Sequence, residues 1–401
     1  MSRLTRAEAQ ERNRTRVLAA ARDEFTERGF RDAKIDGIAD RAGLTRGAVY
    51  SNFPGKRALY FAVLADLAER APQQTLPPHR PHPPQRPQRP RSEPRWEPHS
   101  EPGSEPGSTP GEALGALARA WMARLIPLAT DEQYGPPRLG RDLMPEVLAD
   151  ARTRQPFAQL MKLDAILLAL ALEALRPPGT PAVRLVRIAE AALTTLHGAS
   201  LMADAAPGFV DPFNVISACE RLAGLDLADE WPPPHLAYIP GARPAAEPWS
   251  PPCALDLVRD EPARLTDDGV VAVLGLHRLE AVEEAVRGVP PGTRVTAVLV
   301  TGAPDELVPL ARLAVADLCA CLRQAFPASA WPGLRVVYDA SGALAAAAGV
   351  SAVSDGTETA VRIEAGRIVA RADGRGACHA AATVTAGSSS PAAGRQPPTP
   401  A

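Results

Sequence analysis

The sequence has no run of about 18 consecutive apolar residues, so it offers no helix able to span a bilayer. Its N-terminus, MSRLTRAEAQERNRTR, is too charged for a secretory signal, and a cytoplasmic protein is expected. It also lacks a charge excess: 44 Lys and Arg against 46 Asp and Glu leave a net charge of -2. Bulk attraction to nucleic acid or to an anionic membrane is thereby excluded, and any DNA affinity has to be local. Its five cysteines, Cys219, Cys253, Cys319, Cys321 and Cys378, are scattered and form no C-x-x-C pair, which excludes the common zinc and redox motifs. They read as buried or incidental thiols in a reducing compartment. There is no phosphate-cradling glycine loop and no Ser, His and Asp set, and His197, His277 and His379 stand alone. No metal, no cofactor and no catalytic residue is expected.

What is there is distributed in blocks. A chain of 401 residues is too long for one ordinary domain. Residues 72–112 hold 13 prolines in 41 positions, with Arg and Gln early and Glu, Gly and Ser late. That composition cannot bury enough apolar surface to fold and reads as a disordered linker. A second proline-rich linker is read over 229–252, and a low-complexity tail over 386–401. Three ordered blocks remain, 1–71, 113–228 and 253–385. The first two space their apolar residues by three and four and are expected to be helical. The third changes period: 270–276 (VVAVLGL), 293–300 (TRVTAVLV), 334–338 (LRVVY), 359–364 (TAVRIE) and 367–372 (RIVARA) read as strands between helical stretches, an α/β layer with a mixed sheet. The expected fold class is mainly α with a C-terminal α/β domain.

The local charge sits in the first block. Residues 1–57 carry 13 Lys and Arg against 8 Asp and Glu, a surplus of five that suits phosphate. In the first helix Leu18, Ala21 and Phe25 share a face and Gly29 supplies a left-handed stop. Asp36 stands where a cap belongs, and Ile38, Ala39 and Ala42 give a second helix its buried side before Gly43 opens a turn. Thr45 then caps a third helix, about 46–52. Two short helices about a glycine turn form the helix-turn-helix pattern, whose second helix enters the major groove. Val49 and Phe53, four apart, are expected to face inward. Thr45, Arg46, Gly47, Ala48, Tyr50, Ser51 and Asn52 are then left outside or at the rim as DNA-facing candidates. Arg46 suits guanine or phosphate, Asn52 a base edge, and Gly47 and Ala48 allow close approach. Tyr50 and Lys56 suit phosphates, and Arg12, Arg14 and Arg16 read as a solvated face.

The run 35–64, IDGIADRAGLTRGAVYSNFPGKRALYFAVL, resembles the headpiece of the TetR/AcrR family of transcriptional regulators, including the spacing of Gly43, Gly47, Tyr50 and Phe53. The resemblance implies a three-helix DNA-binding head and a fourth helix, about 56–70, leading to a helical effector core. It also implies a homodimer on a palindromic double-stranded operator. Asn52 and Gly55 depart from the His and Ser common at these places, so base preference does not carry over. The helical pattern of 113–228 resembles the family's effector core and implies a ligand-responsive repressor for a small apolar effector. Its last two helices, about 181–205 and 212–224, would pair in the dimer, with Ala191, Ala192, Gly198 and Ala199 allowing close approach. Trp121, Met122, Phe157 and Met161 are the candidates for the pocket, and Leu59, Val63 and Leu67 for coupling the head to the core. The third block resembles a thioredoxin-like or peroxiredoxin-like domain. It has His277 and Arg278 where such an enzyme needs a thiol, which favours a non-catalytic domain. The competing reading is a thiol oxidoreductase fused to a DNA-binding head.

Overall fold

A computed structural model describes residues 6–70, 108–125, 139–177, 179–180, 183–231 and 241–384. From the N-terminus come α1 (Arg6–Asp32), α2 (Ile35–Ala42), α3 (Arg46–Tyr50), α4 (Lys56–Arg70), α5 (Pro110–Leu125), α6 (Leu143–Leu148), α7 (Ala151–Ala174), α8 (Val186–Ala205) and α9 (Pro212–Leu222). There follow β1 (Arg243–Pro248), β2 (Leu255–Asp256), β3 (Glu261–Pro262), β4 (Gly269–Gly275), α10 (Val282–Gly288), β5 (Arg294–Val300), α11 (Pro304–Ala325), β6 (Leu334–Tyr338), α12 (Ala343–Ala347), β7 (Glu358–Glu364), β8 (Arg367–Asp373) and α13 (Ala377–Ala382). Contacts divide the chain into two compact units, Met1–Trp231 with Asp305–Pro332, and Pro232–Pro304 with Gly333–Ala401. The segment that carries α11 thus belongs with the helical unit, although it lies between β5 and β6 in sequence.

In the helical unit, α1 packs on α2 and α4, α5 on α9, and α7 on α8. The backbone leaves the helical region at Gly29, where φ is 71°, as its position in the sequence suggested. Asp36 is not the cap of α2. Lys34 occupies that place with no side-chain bond, and Asp36 lies in the first turn, where its charge suits the positive helix end. The 72–112 linker falls on residues outside the described ones as far as 107. Its last three residues are helix, because Thr109 and Glu112 cap α5 reciprocally: Thr109 N donates to Glu112 Oε2 (3.2 Å) and Glu112 N to Thr109 Oγ1 (3.3 Å). Asp150 caps α7 by accepting from Arg152 N (2.9 Å), and Pro156 sits inside that helix.

In the second unit the sheet order is β1-β8-β7-β4-β5-β6. β4, β5 and β6 run parallel, and β7, β8 and β1 are added antiparallel in turn, so the sheet is mixed. All five strands read from the sequence are present, each within about one residue of the expected bounds. Every residue of β4 and all but the first of β5 are buried, as central parallel strands require. The sixth strand corrects the reading of 229–252 as linker throughout. Arg243–Pro248 forms the edge strand on β8, and Trp249 is buried, its Nε1 donating to Leu265 O at 2.7 Å. An edge position is what permits Pro244 and Pro248, which lack a donor, inside a strand. The 386–401 tail lies outside the described residues.

Candidate nucleic-acid interface

The site is built from α1 to α4. Gly43, at φ 60°, turns the chain after α2. Thr45 then caps α3, its Oγ1 accepting from Ala48 N at 3.2 Å. Val49 and Phe53 are buried against the other head helices, and Phe53 lies under the guanidinium of Arg14 at 4.5 Å. Anchoring these two side chains turns the opposite face of α3 outward. Thr45, Arg46, Gly47, Tyr50 and Ser51 are exposed, and Ala48, Asn52 and Lys56 are half-buried. A Cβ on Gly47 would meet nothing closer than 3.9 Å, so the surface above it is open.

Among these candidates the structure separates free groups from engaged ones. Arg46 is outward, with Asp36 Oδ1 at 3.5 Å and its guanidinium 5.6 Å from the centre of the Tyr50 ring. Tyr50 is 42% exposed, which rules out a core aromatic. Asn52 Nδ2 donates to Ala48 O (2.8 Å), as does Ser51 Oγ (2.9 Å), so these side chains finish the short helix. Lys56 Nζ donates to Arg31 O (3.0 Å) and stands 4.6 Å over the Phe30 ring, and desolvation lowers its pKa. Arg12 and Arg16 are exposed, but Arg14 is not part of a solvated face. Burial lowers its pKa, and its Nη1 reaches Asn52 O at 3.3 Å.

Sequence reasoning missed Glu24. It is 2% exposed on α1 and binds Arg41 (2.9 Å), Arg28 (3.2 Å) and Lys34 N (3.4 Å), fixing α2 on α1. The only trace in the sequence is Gly37, where any Cβ would lie 2.9 Å from Glu24 Oε1. It also missed the polar joints at α4. Arg57 binds Glu146 and Asp150, Asp142 accepts from Phe30 N at 3.1 Å, and the buried Tyr60 donates its hydroxyl to Leu139 O. Leu59 and Val63 are buried as expected, and Leu67 is half-buried.

In the core, Trp121, Phe157 and Met161 line one cavity with His197 and Asp164 and with Leu310 and Asp317 of α11, whereas Met122 is buried without lining it. Loss of solvent pushes His197 down to about 4 and raises the Asp164 carboxyl well above its usual range. The thiols of Cys219 and Cys321 are pushed up to about 12, and that of Cys378 is raised by burial and by neighbouring Glu358, so all three stay protonated. Among the described residues no group of three His, Cys, Asp or Glu could hold a metal, and no helix is long and apolar enough to cross a membrane.

Residues 17–63 match the sequence model of the bacterial regulatory proteins, tetR family. Two relatives from Pseudomonas putida are each 51% identical over 65 residues, or 16% of this chain: the HTH-type transcriptional regulator SrpR and the uncharacterized HTH-type transcriptional regulator TtgW. The match spans 30% and 48% of their lengths, less than half of either relative. The crystal structure of a TetR-like transcriptional regulator from Rhodococcus aligns with 57% of this chain and 100% of its own, at 20% identity and a TM-score of 0.25, too low to carry a statement about the fold. The likeness is therefore one of the head: over residues 17–63 the chain is similar to the bacterial regulatory proteins of the tetR family.

Proposed function

We propose that this protein is a homodimeric, ligand-responsive transcriptional repressor that binds a palindromic operator in the cytoplasm through α3 of each head. The observation that carries the reading is the division of α3: Val49 and Phe53 hold it from behind while Thr45, Arg46, Gly47 and Tyr50 are presented outward. Two heads enter successive major grooves when they stand about 34–36 Å apart. A ligand that favours a core conformation with another spacing releases the DNA, and only its differential affinity for the two conformations drives that release. Arg46 and Asn52 are the candidates for base readout, Gly47 and Ala48 allow close approach, and Thr45 and Ser51 stand at the rim. Tyr50 and Lys56 are the phosphate candidates, Lys56 once it leaves Arg31. The homodimer is supported by apolar side chains left exposed at the end of α8 and just before α9, Leu201, Met202 and Phe209.

The second unit fits a non-catalytic thioredoxin-like domain. The support for that reading is the run of β4, α10, β5 and β6 followed by the β7–β8 hairpin and α13 on one mixed sheet. At the end of β4, where an enzyme of that kind holds its thiol, Arg278 is instead paired with Glu358 at 2.6 Å. The protonated, buried thiols speak against the oxidoreductase reading. The test is selection of bound fragments from genomic DNA, followed by mobility shifts over a salt series. A site-specific, salt-sensitive complex that is weakened, with its base preference relaxed, by Arg46→Ala is expected. No preference for any duplex would overturn the proposal.

A further inference from the structure

The cavity of the helical unit holds an oddity that an apolar effector does not explain. Asp164, in the middle of α7, is 2% exposed, and its Oδ1 has no hydrogen-bond partner among the described residues. It opens into a space of about 20 Å³ walled by Trp121, Phe157, Met161 and His197 and by Leu313 and Asp317 of α11. A buried, unpaired carboxyl costs several kcal/mol by order of magnitude. A core position that only filled space would carry leucine.

The charges around the space are unbalanced. Asp317 is paired with Arg124 of α5 at 3.2 Å, so that pair is neutral and leaves Asp164 without a counter-charge. His197, the titratable side chain that α8 contributes to the wall, supplies none either, since burial keeps it neutral above about pH 4. The walls are aromatic. Trp121 and His197 meet edge to face at 4.9 Å, and the indole N–H is already committed to Ser200 Oγ at 3.0 Å, so the indole has no donor left for a ligand. A carboxylate beside indole and phenyl rings is the pairing that recognises an ammonium group.

We infer that this cavity is a binding site for a small organic amine in its protonated form, with Asp164 as counter-ion and Trp121 and Phe157 as the aromatic wall. The inference rests on the ligand-responsive reading above and names the ligand's chemical class. The space as it stands takes a group the size of one water molecule, which is the size of an ammonium head. The flexible Met161 side chain, and α11 with Leu310 and Leu313, give way for an attached apolar body. Burial, with Asp317 nearby, raises the Asp164 carboxyl well above its ordinary range, so the empty site favours its protonated form. Seating a cation ionises it, and the displaced proton passes to the buffer. Affinity therefore rises with pH, by about tenfold per unit at most, until Asp164 is ionised in the empty site as well.

The test is calorimetry on the full chain without DNA, with methylammonium, benzylamine and the neutral analogue benzyl alcohol, each in two buffers of different ionisation enthalpy. Expected are benzylamine at least ten times tighter than benzyl alcohol and release of about one proton at pH 7. Asp164→Asn should abolish both the discrimination and the proton release while raising the melting temperature. Should that variant not fold, Asp317→Asn, which leaves Arg124 unpaired near the site, is expected to weaken benzylamine binding. Equal affinity for the amine and the alcohol, no binding of either amine, or proton release that persists in Asp164→Asn would overturn the inference. Operator binding is measured separately. If benzylamine binds through Asp164 yet leaves the DNA complex intact, the site stands and the ligand-responsive reading falls. If DNA is released equally from wild type and Asp164→Asn, the response stands and the amine site falls.

Discussion

Arg57 Nε of α4 lies 3.0 Å from Glu146 Oε2 of α6, and this pair joins the helix that leaves the head to the helical core. The same guanidinium reaches Asp150 Oδ2 at 2.9 Å, the residue that caps α7. One side chain thus touches the ends of two core helices, and Asp142 adds a third joint by accepting from Phe30 N, where α1 ends. A movement of α6 relative to α7 is felt at Arg57 directly, and hence at the base of α4.

Arg57→Ala should therefore lower the stability of the protein by about 1–2 kcal/mol, because two half-buried carboxylates lose a charged partner. Arg57→Lys should recover only part of it, since an ammonium does not present the forked donors that reach two acceptors at once. Urea unfolding followed by circular dichroism reads both. Wild-type midpoints for both variants would show that the joint carries no stability.

Lys56 is adjacent and behaves differently. Its ammonium closes the end of α1 at Arg31 O and covers the Phe30 ring. Lys56→Met keeps the packing and removes the bond, at an expected cost of about 0.5–1.5 kcal/mol. Each phosphate neutralised contributes about 0.9 to the slope of log affinity against log salt concentration. Lys56→Met is expected to weaken binding to all sequences alike and to reduce that slope by about one unit, whereas Arg46→Ala is expected to weaken binding and relax the base preference. An unchanged slope for Lys56→Met would mean that the lysine stays on Arg31 O and neutralises no phosphate.

The contrast between these residues marks what the sequence made legible. Val49 and Phe53 could be placed inside because helical spacing alone puts them on one face, and Thr45 could be named a cap because its side chain acts on its own helix. The five strands of the sheet were legible for the same reason, each being a short apolar run bounded by turn residues. Glu24, Arg14, Arg57 and Asp164 were not, since each is defined by partners tens to hundreds of positions away. A charged residue at helical spacing reads as solvated until its partner is known. Arg243–Pro248 was hidden by its composition: proline excludes most strands but not an edge. The helix α11 read as part of the α/β block because the strands on either side belong there, and nothing in its periodicity says which unit it packs with.

Asp164 and Asp317 make stability depend on pH with an uncommon sign. Both carboxyls bind protons more tightly folded than unfolded, Asp164 well above its ordinary value and Asp317 up to about 6, through loss of solvent. The stability they contribute is fully present below the unfolded value near 3.8 and is lost as pH rises through the folded values. Wild type should lose stability from about pH 4 upward through both carboxyls, the Asp317 share ending near pH 6. Asp164→Asn should make the decline shallower from about pH 4 upward and leave the Asp317 share, which ends near pH 6. Thermal melts from pH 4.5 to 8 test this, and identical curves for the two proteins would show that Asp164 does not titrate with folding.

The last prediction concerns the dimer. Leu201 and Met202, 47% and 41% exposed near the end of α8, are neighbours on a helix whose other face packs on α7 through buried residues such as Leu193 and Leu196. If a second copy covers them, a charge at this place is buried without a partner and association fails. Leu201→Glu with Met202→Glu should sediment as a monomer with unchanged helical content. Operator affinity should fall at least tenfold, because binding of the second head then loses the effective concentration that the first one supplies. A doubly substituted protein that still sediments as a dimer would move the interface off this face, and the search would turn to Phe209 and α9.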